Sequence, residues 1–409
     1  MSRNVQDELI ELARAHLLRN YRQQPLVFER GVGVRLFDKL GNEYLDMTAG
    51  VAVCALGHAH PALVKALAEQ AQKLVHVSNL YYNEPQIRLA HALARRSFAD
   101  RVFFCNSGAE ANEAALKLAR RYQHVVAQAP ERVTMVAAEG SFHGRTVGTV
   151  SLTGQEKYRK GFGTLWEPVR FVPYGDLAAL AKLLGTGTVC AVILEPVQGD
   201  GGLFVPPPGY LKAVRAACDE AGALLIFDEV QTGMGRTGTW FAYEQEDVTP
   251  HIMTLAKGLG GGVPIGAMLT TDAIGEGLAP LEGEPAPHAS TFGGNPLCCA
   301  AALAVLDVFE KDNLIANCRA RGEELAAALT TLVAKHPRIA VEVRGRGLLR
   351  GLRVARDASR IMAECRARGL LVTVAGGDVI RFAPPLIIGA EEIAEAVRRL
   401  DVVLAELGG

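Results

Sequence analysis

Four short stretches of this 409-residue chain hold side chains able to do chemistry, and each follows or ends an apolar run. Ile252-Met-Thr-Leu-Ala-Lys257 places one lysine at the end of a hydrophobic run, ahead of Gly-Leu-Gly-Gly-Gly. An amine held among apolar groups suits a nucleophile that attacks an aldehyde, and the glycines leave room for a bulky ligand. Leu224-Leu-Ile-Phe-Asp228 ends in a carboxylate, which is costly there unless paired. A metal, a helix cap or a protonated ring nitrogen would each serve as its partner. Phe104-Cys-Asn-Ser107-Gly108-Ala109-Glu110 passes from a strand into a helix. Ser107 and Glu110 fit a capping box, and the free N–H groups of such a helix start also suit a phosphate. Glu139-Gly-Ser-Phe142-His143-Gly-Arg145-Thr146 offers an aromatic face and a guanidinium to a planar anion, with a plain surface loop as the alternative.

Taken together, the four describe more than any one does. An aldehyde-reactive lysine, an acid for a pyridine nitrogen, a helix end for a phosphate and an aromatic for a ring describe a pyridoxal phosphate site. Other signatures are missing. The chain has no Gly-Lys dipeptide, which excludes a Walker A loop, and Gly258-Leu-Gly-Gly-Gly-Val departs from the dinucleotide fingerprint at its last position. His58-Ala-His60 has no acidic or cysteine cluster beside it, so it reads as a loop and no metal is expected.

The elements that must position these residues follow from periodicity. Helical stretches at Pro61–Leu74, Glu84–Ala99 and Ala109–Gln123 alternate with short apolar runs at 101–104, 134–138, 190–194, 224–227 and 252–255. Such alternation predicts a parallel, doubly wound sheet with helices on both faces. In such sheets, ligands bind beyond the carboxyl ends of the strands, where all four stretches fall. The first twenty residues read as an amphipathic helix, and Gly33–Phe37 with Glu43–Met47 as a small hairpin. One long helical pattern begins near Cys298 and continues to about Ala334, followed by short strands and a last helix over Ala390–Leu407. The expected division is an N-terminal segment over 1–60 that joins a small domain, a large α/β domain over 61–297, and a C-terminal α+β part over 298–409 with a long connecting helix.

Composition narrows the function classes. Lys plus Arg number 43 and Asp plus Glu 44, so neither a nucleic-acid footprint nor a polybasic membrane surface is expected. The eight cysteines form no C-x-x-C pair and suit small buried hydrophobes in a reducing compartment. The charged start MSRNVQDELIEL lacks the apolar stretch of a signal peptide, and no run suits a membrane span. A cytoplasmic protein with a small-molecule ligand is expected.

At this point the sequence resembles the class III, fold-type I aminotransferases, in particular their acetylornithine/succinylornithine subgroup. The motifs that carry the resemblance run almost from end to end: Gly41-Asn-Glu-Tyr-Leu-Asp46, Ala55-Leu-Gly-His-Ala-His-Pro61, Asn106-Ser-Gly-Ala-Glu-Ala-Asn-Glu113, Ser141-Phe-His-Gly-Arg-Thr146, Glu195-Pro-Val-Gln-Gly199, Phe227-Asp-Glu-Val-Gln-Thr-Gly233, Ala256-Lys-Gly258 and Ser290-Thr-Phe-Gly-Gly-Asn-Pro296. By resemblance, Lys257 binds the cofactor aldehyde and moves the proton, and Asp228 keeps the pyridine nitrogen protonated. Ser107, Gly108 and Ala109 bind phosphate, joined by Thr291 from the partner subunit of a homodimer. Phe142 and Val230 sandwich the ring, and Gln231 reaches its phenolic oxygen.

The same resemblance assigns the substrates. Arg145 takes the donor's remote carboxylate with help from Ser290, and Arg381 takes the α-carboxylate of glutamate. Glu195 pairs with Arg381 and masks it while the ω-amino donor is bound. The implied reaction moves the terminal amino group of N-acetylornithine, or a succinylated relative, to 2-oxoglutarate. Ornithine or 4-aminobutyrate donors, and a glutamate-1-semialdehyde-type aminomutase, are the rivals. Three positions depart from the family's usual pattern: Asp200 where Glu is common, Pro385 for Ser and Cys298 for Ala. All three are expected to lie away from the cofactor.

Overall fold

Each strand of the main sheet is a run of four to six residues, and most are buried from end to end. In the computed structural model, which describes residues 4–408, these runs take the centre of the molecule. Three short strands come first, β1 (Phe28–Val32), β2 (Arg35–Asp38) and β3 (Glu43–Asp46), paired antiparallel in that order. Seven more form the large sheet: β4 (Arg101–Cys105), β5 (Thr134–Ala138), β6 (Val169–Val172), β7 (Val189–Leu194), β8 (Leu224–Asp228), β9 (Ile252–Leu255) and β10 (Gly266–Thr270). Their order is β4-β10-β9-β8-β7-β5-β6.

The pairs β9-β8, β8-β7, β7-β5 and β5-β6 are parallel, as the helix–strand alternation predicted. The departure is β10, which lies antiparallel between β4 and β9. Alternate residues of these strands feed two cores. Val136, Val192, Leu225, Phe227 and Met253 pack on one face with helices 84–94, 210–221 and 296–311. Met135, Ala137, Ile193, Ile226 and Met268 pack on the other with the helix Gly108–Val125.

A separate core joins the two chain ends. Leu45 and Met47 pack with Phe309, Leu325, Leu352, Ile380, Phe382 and Leu400. Its sheets are completed by β11 (Ala340–Arg346), β12 (Leu349–Val354), β13 (Leu370–Leu371), β14 (Thr373–Ala375) and β15 (Val379–Phe382). β13 pairs parallel with β3, tying late chain to early chain, while β11-β12-β15-β14 form an antiparallel sheet.

Two expectations change. The helix expected over the first twenty residues spans Val5–His16, capped by Asn4, and residues 1–3 lie outside the described chain. The single long helix from Cys298 is two helices, Pro296–Lys311 and Leu314–Lys335. The break is at Asn313, whose φ of 50° is left-handed, a conformation that asparagine tolerates better than most residues. All eight cysteines are free, and every one except the half-buried Cys54 is buried.

Candidate active site

The loops beyond β4, β5, β7, β8 and β9 surround one cavity of about 450 Å³. Its wall contains Ser107, Gly108, Ala109, Phe142, Arg145, Glu195, Asp228, Val230, Gln231 and Lys257, ten residues singled out in the sequence. Strand ends bring them together, since each lies within a few residues of where a strand stops.

Lys257 is part of the cavity wall. Burial pulls its ammonium below the usual lysine range; Arg381 adds to that pull, while Asp200, Asp228 and Glu195 oppose it. It makes no side-chain hydrogen bond or ion pair among the described residues. Its φ of 45° is left-handed, a strain of the kind concentrated at functional sites.

Asp228 is clamped. Its Oδ2 accepts from Asn112 Nδ2 at 2.7 Å and pairs with His143 Nδ1 at 2.8 Å, while Oδ1 accepts from the Val230 N–H at 3.1 Å. Thr254 Oγ1 donates to Asn112 Oδ1 at 2.7 Å, which fixes the amide so that its nitrogen faces Asp228. Asn112 and His143 were not singled out as functional in the sequence. The available signal was a buried asparagine on a helix face otherwise made of Ala111, Ala114, Ala115 and Leu118.

The helix Gly108–Val125 begins in the cavity wall, and Ser107 Oγ accepts from the Glu110 N–H at 3.2 Å. The capping box is half formed, because Glu110 Oε2 accepts instead from the backbone and side-chain nitrogens of Asn106. The first N–H groups of a helix have no partner within it, so this end is a ready anion site. A Cβ on Gly108 would lie 2.7 Å from Val230, so only glycine lets the helix end meet the Val230 side chain.

A family match over nearly the whole chain decides what this constellation is. The family description "Aminotransferase class-III" fits residues 17–404. The chain belongs to the class-III aminotransferases. It is 48% identical over 400 residues to the acetylornithine aminotransferase of Caldanaerobacter subterraneus, covering 98% of this chain and 100% of that one. Its fold matches the ornithine aminotransferase of Toxoplasma gondii with a TM-score of 0.94 at 34% identity, covering 99% and 96% of the two chains. It also matches the acetylornithine aminotransferase of Elizabethkingia anophelis, with a TM-score of 0.87 at 33% identity and 99% and 100% coverage.

This aminotransferase uses pyridoxal phosphate, and the cavity fits it on its own evidence. A free lysine amine, a clamped carboxylate and an uncovered helix start lie around a space that Gly108 keeps open. Phe142 and Val230 both line that space, as do Ser107, Gly108 and Ala109.

Not every expected residue faces the cavity. Ser290 is half-buried, its Oγ accepting from the Gly293 N–H at 3.0 Å and from Asn106 Nδ2 at 3.3 Å. Thr291 is exposed and lines no part of its own chain's cavity. Arg381 lies behind the wall, and its partner is Asp200 rather than Glu195. Its Nε donates to Thr373 Oγ1 at 3.0 Å and an NH group to Gln231 Oε1 at 3.3 Å.

Glu195 is turned the other way. Its two oxygens accept from the backbone N–H groups of Phe142 at 3.1 Å and Gly199 at 3.3 Å. Burial, with Asp228 and Asp200 nearby, pushes its carboxyl well above the usual range. Asp200, expected away from the cofactor, is part of the cavity wall. Its own burial disfavours charge, but Arg381 and Lys257 outweigh that and hold its carboxyl below the usual range.

The histidine pair is structural in both members. His58 Nε2 bonds Asp46 Oδ2 at 2.8 Å, and His60 Nδ1 accepts from the Ala62 N–H at the start of a helix. No helix among the described residues is long and apolar enough to cross a membrane.

Proposed function

We propose that this aminotransferase moves the terminal amino group of N2-acetyl-L-ornithine, or its succinyl relative, to 2-oxoglutarate. The products are N-acetylglutamate 5-semialdehyde and glutamate. The observation that carries this reading is the unequal state of two arginines. Arg145, on the cavity wall, makes no ion pair among the described residues, whereas Arg381 is held by Asp200 and Gln231. One free guanidinium suits a donor whose α-carboxylate lies far from its reacting amine, and acylation removes the charge of the α-nitrogen beside that carboxylate. A second guanidinium, once released, suits the two carboxylates of the acceptor.

Pyridoxal phosphate supplies the electron sink that makes the donor's terminal C–H acidic. Lys257 Nζ, held below its usual pKa by burial, would take that proton and deliver it to the cofactor's reacting carbon within the same half-reaction, and would run the transfer in reverse with the acceptor. Asp228 Oδ1, left outside the Asn112–His143 clamp, would pair with the ring nitrogen and keep it protonated. Ser107, Gly108 and Ala109 would hold the phosphate, Phe142 and Val230 would enclose the ring, and Gln231 would reach its phenolic oxygen. Ser290 assists Arg145, and Thr291 belongs to the same reading through the partner subunit of a cytoplasmic homodimer. The exposure of Leu80, Tyr81, Tyr82 and Phe292 supports a covered apolar face there. A large domain over 61–297 and a small one from both chain ends complete it.

The high similarity in shape to an ornithine aminotransferase favours ornithine as the second reading. Visible absorbance of the cofactor-loaded enzyme separates the two. N-acetylornithine without any oxo acid bleaches the yellow band at lower concentration than ornithine does. Bleaching by ornithine alone overturns the donor assignment, and no yellow band after reconstitution overturns the mechanism.

A further inference from the structure

We propose that Tyr158 is the positioning residue that presents Arg145 to the donor's carboxylate; this rests on the donor reading above. The Arg145 guanidinium carbon lies 4.1 Å from the centroid of the Tyr158 ring and 5.4 Å from that of Phe142. The two rings meet edge to face, 5.5 Å apart at 80°. Tyr158 therefore touches both the arginine at the cavity wall and the aromatic assigned to the cofactor ring.

The segment that delivers Tyr158 is tied to the end of β5. Gly154 donates to Ser141 Oγ at 3.0 Å, and Gln155 Nε2 donates to the Ser141 carbonyl at 3.4 Å. A Cβ on Gly154 would lie 2.1 Å from the Ala138 carbonyl oxygen, so only glycine allows this approach. The Tyr158 N–H then bonds the Gln155 carbonyl at 3.0 Å, opening the short turn Glu156–Arg159. Ser141 is fully buried, which makes this a firm base for an otherwise surface turn.

The consequence is chemical. Arg145 is exposed and has no carboxylate partner among the described residues, so its long side chain would otherwise sample many rotamers. A ring face attracts a guanidinium without using any of its N–H groups. The planar fork stays available to grip a carboxylate through two bonds. The adjacent Lys157 ammonium, 4.9 Å from the same ring, also favours an anionic ligand here.

The test uses the cofactor-loaded enzyme and two variants, Tyr158→Leu and Tyr158→Phe. Two readings are taken: the N-acetylornithine concentration giving half-maximal bleaching, and calorimetric affinity for N-acetyl-L-norvaline, which has the donor's shape without its reacting amine. Tyr158→Leu weakens both roughly three- to tenfold, with the limiting bleaching rate and the cofactor affinity within about twofold of the parent. Tyr158→Phe keeps the ring face and restores both to within about threefold. Unchanged donor dependence in Tyr158→Leu overturns the proposal, as does equal weakening in Tyr158→Phe. A parent enzyme that N-acetylornithine fails to bleach overturns the donor reading instead, so the two failures are distinct. Melting temperature separates misfolding of the leucine variant from a loss of positioning; if that variant does not fold, weakening of both readings in Tyr158→Phe by more than about threefold overturns the proposal.

Discussion

Asp200 holds Arg381 across the boundary between the loop after β7 and the sheet that contains β14 and β15. The Gly376 N–H also bonds the Asp200 carbonyl at 3.0 Å, so one residue ties both backbone and side chain to that sheet. The ion pair must open before Arg381 can grip an acceptor's carboxylate. Asp200→Ala is therefore expected to lower the KM for 2-oxoglutarate while reducing kcat/KM for the acetylated donor by roughly tenfold. Steady-state kinetics with each substrate varied in turn check this. A loss confined to the acceptor half-reaction would contradict the masking role.

Much of the site was legible because a parallel sheet gathers its loops at one edge. Asp228 ends β8, Lys257 lies two residues past β9, and Ser107 two residues past β4. The apolar runs alone located those positions. The Asp200–Arg381 pair was not legible, because it depends on how the sheet of β15 sits against a loop some 180 residues earlier, which no local spacing encodes. Asn112 and His143 were missed for a similar reason, since neither is polar-exposed nor close in sequence to Asp228. The strand β10 escaped notice because it lies antiparallel inside a sheet whose other pattern is helix–strand alternation.

Lys257 invites a prediction about stability as well as turnover. Lys257→Ala is expected to abolish turnover and leave the protein folded. Removing the ammonium also removes a group whose burial disfavours charge. A lysine with a lowered folded-state pKa binds fewer protons folded than unfolded, so it destabilises the fold at neutral pH. That penalty fades as pH rises toward the ordinary lysine range. Cofactor-free Lys257→Ala should thus melt at or above the parent's temperature at pH 7, with the difference shrinking by about pH 10. Calorimetry across pH checks the trend, and residual turnover in the variant would remove Lys257 from the mechanism.

His58 gives a prediction of opposite sign. The hydrogen bond to buried Asp46, with Cys54 adding to it, raises the His58 imidazole to about 9. A raised basic group contributes stability that is full below its unfolded value near 6.5 and is lost as pH climbs through about 9. His58→Leu should therefore lower the melting temperature most at pH 6, by up to ~3 kcal/mol of stability, and much less at pH 10. Thermal melts of both proteins over that range decide it; a pH-independent difference would mean packing, not charge, is what His58 supplies.

The clamp on Asp228 leads to the last prediction. Asn112 and His143 both act on Oδ2, so together they fix which oxygen remains for a ring nitrogen. His143 Nε2 is buried without a partner among the described residues, so the ring's hydrogen-bonding contribution is the contact to Asp228. Losing one clamp residue leaves the other to hold the carboxylate, but with freedom to rotate. His143→Leu is expected to weaken pyridoxal phosphate binding by roughly tenfold, the scale of one charge-assisted hydrogen bond. Asn112→Ala should act similarly. Because the two share one acceptor, the double variant should cost more than the sum of the single changes in free energy. Cofactor titrations followed by absorbance measure all four corners of that cycle. Strict additivity would show that Asn112 and His143 contribute independently and that the shared oxygen does not couple them.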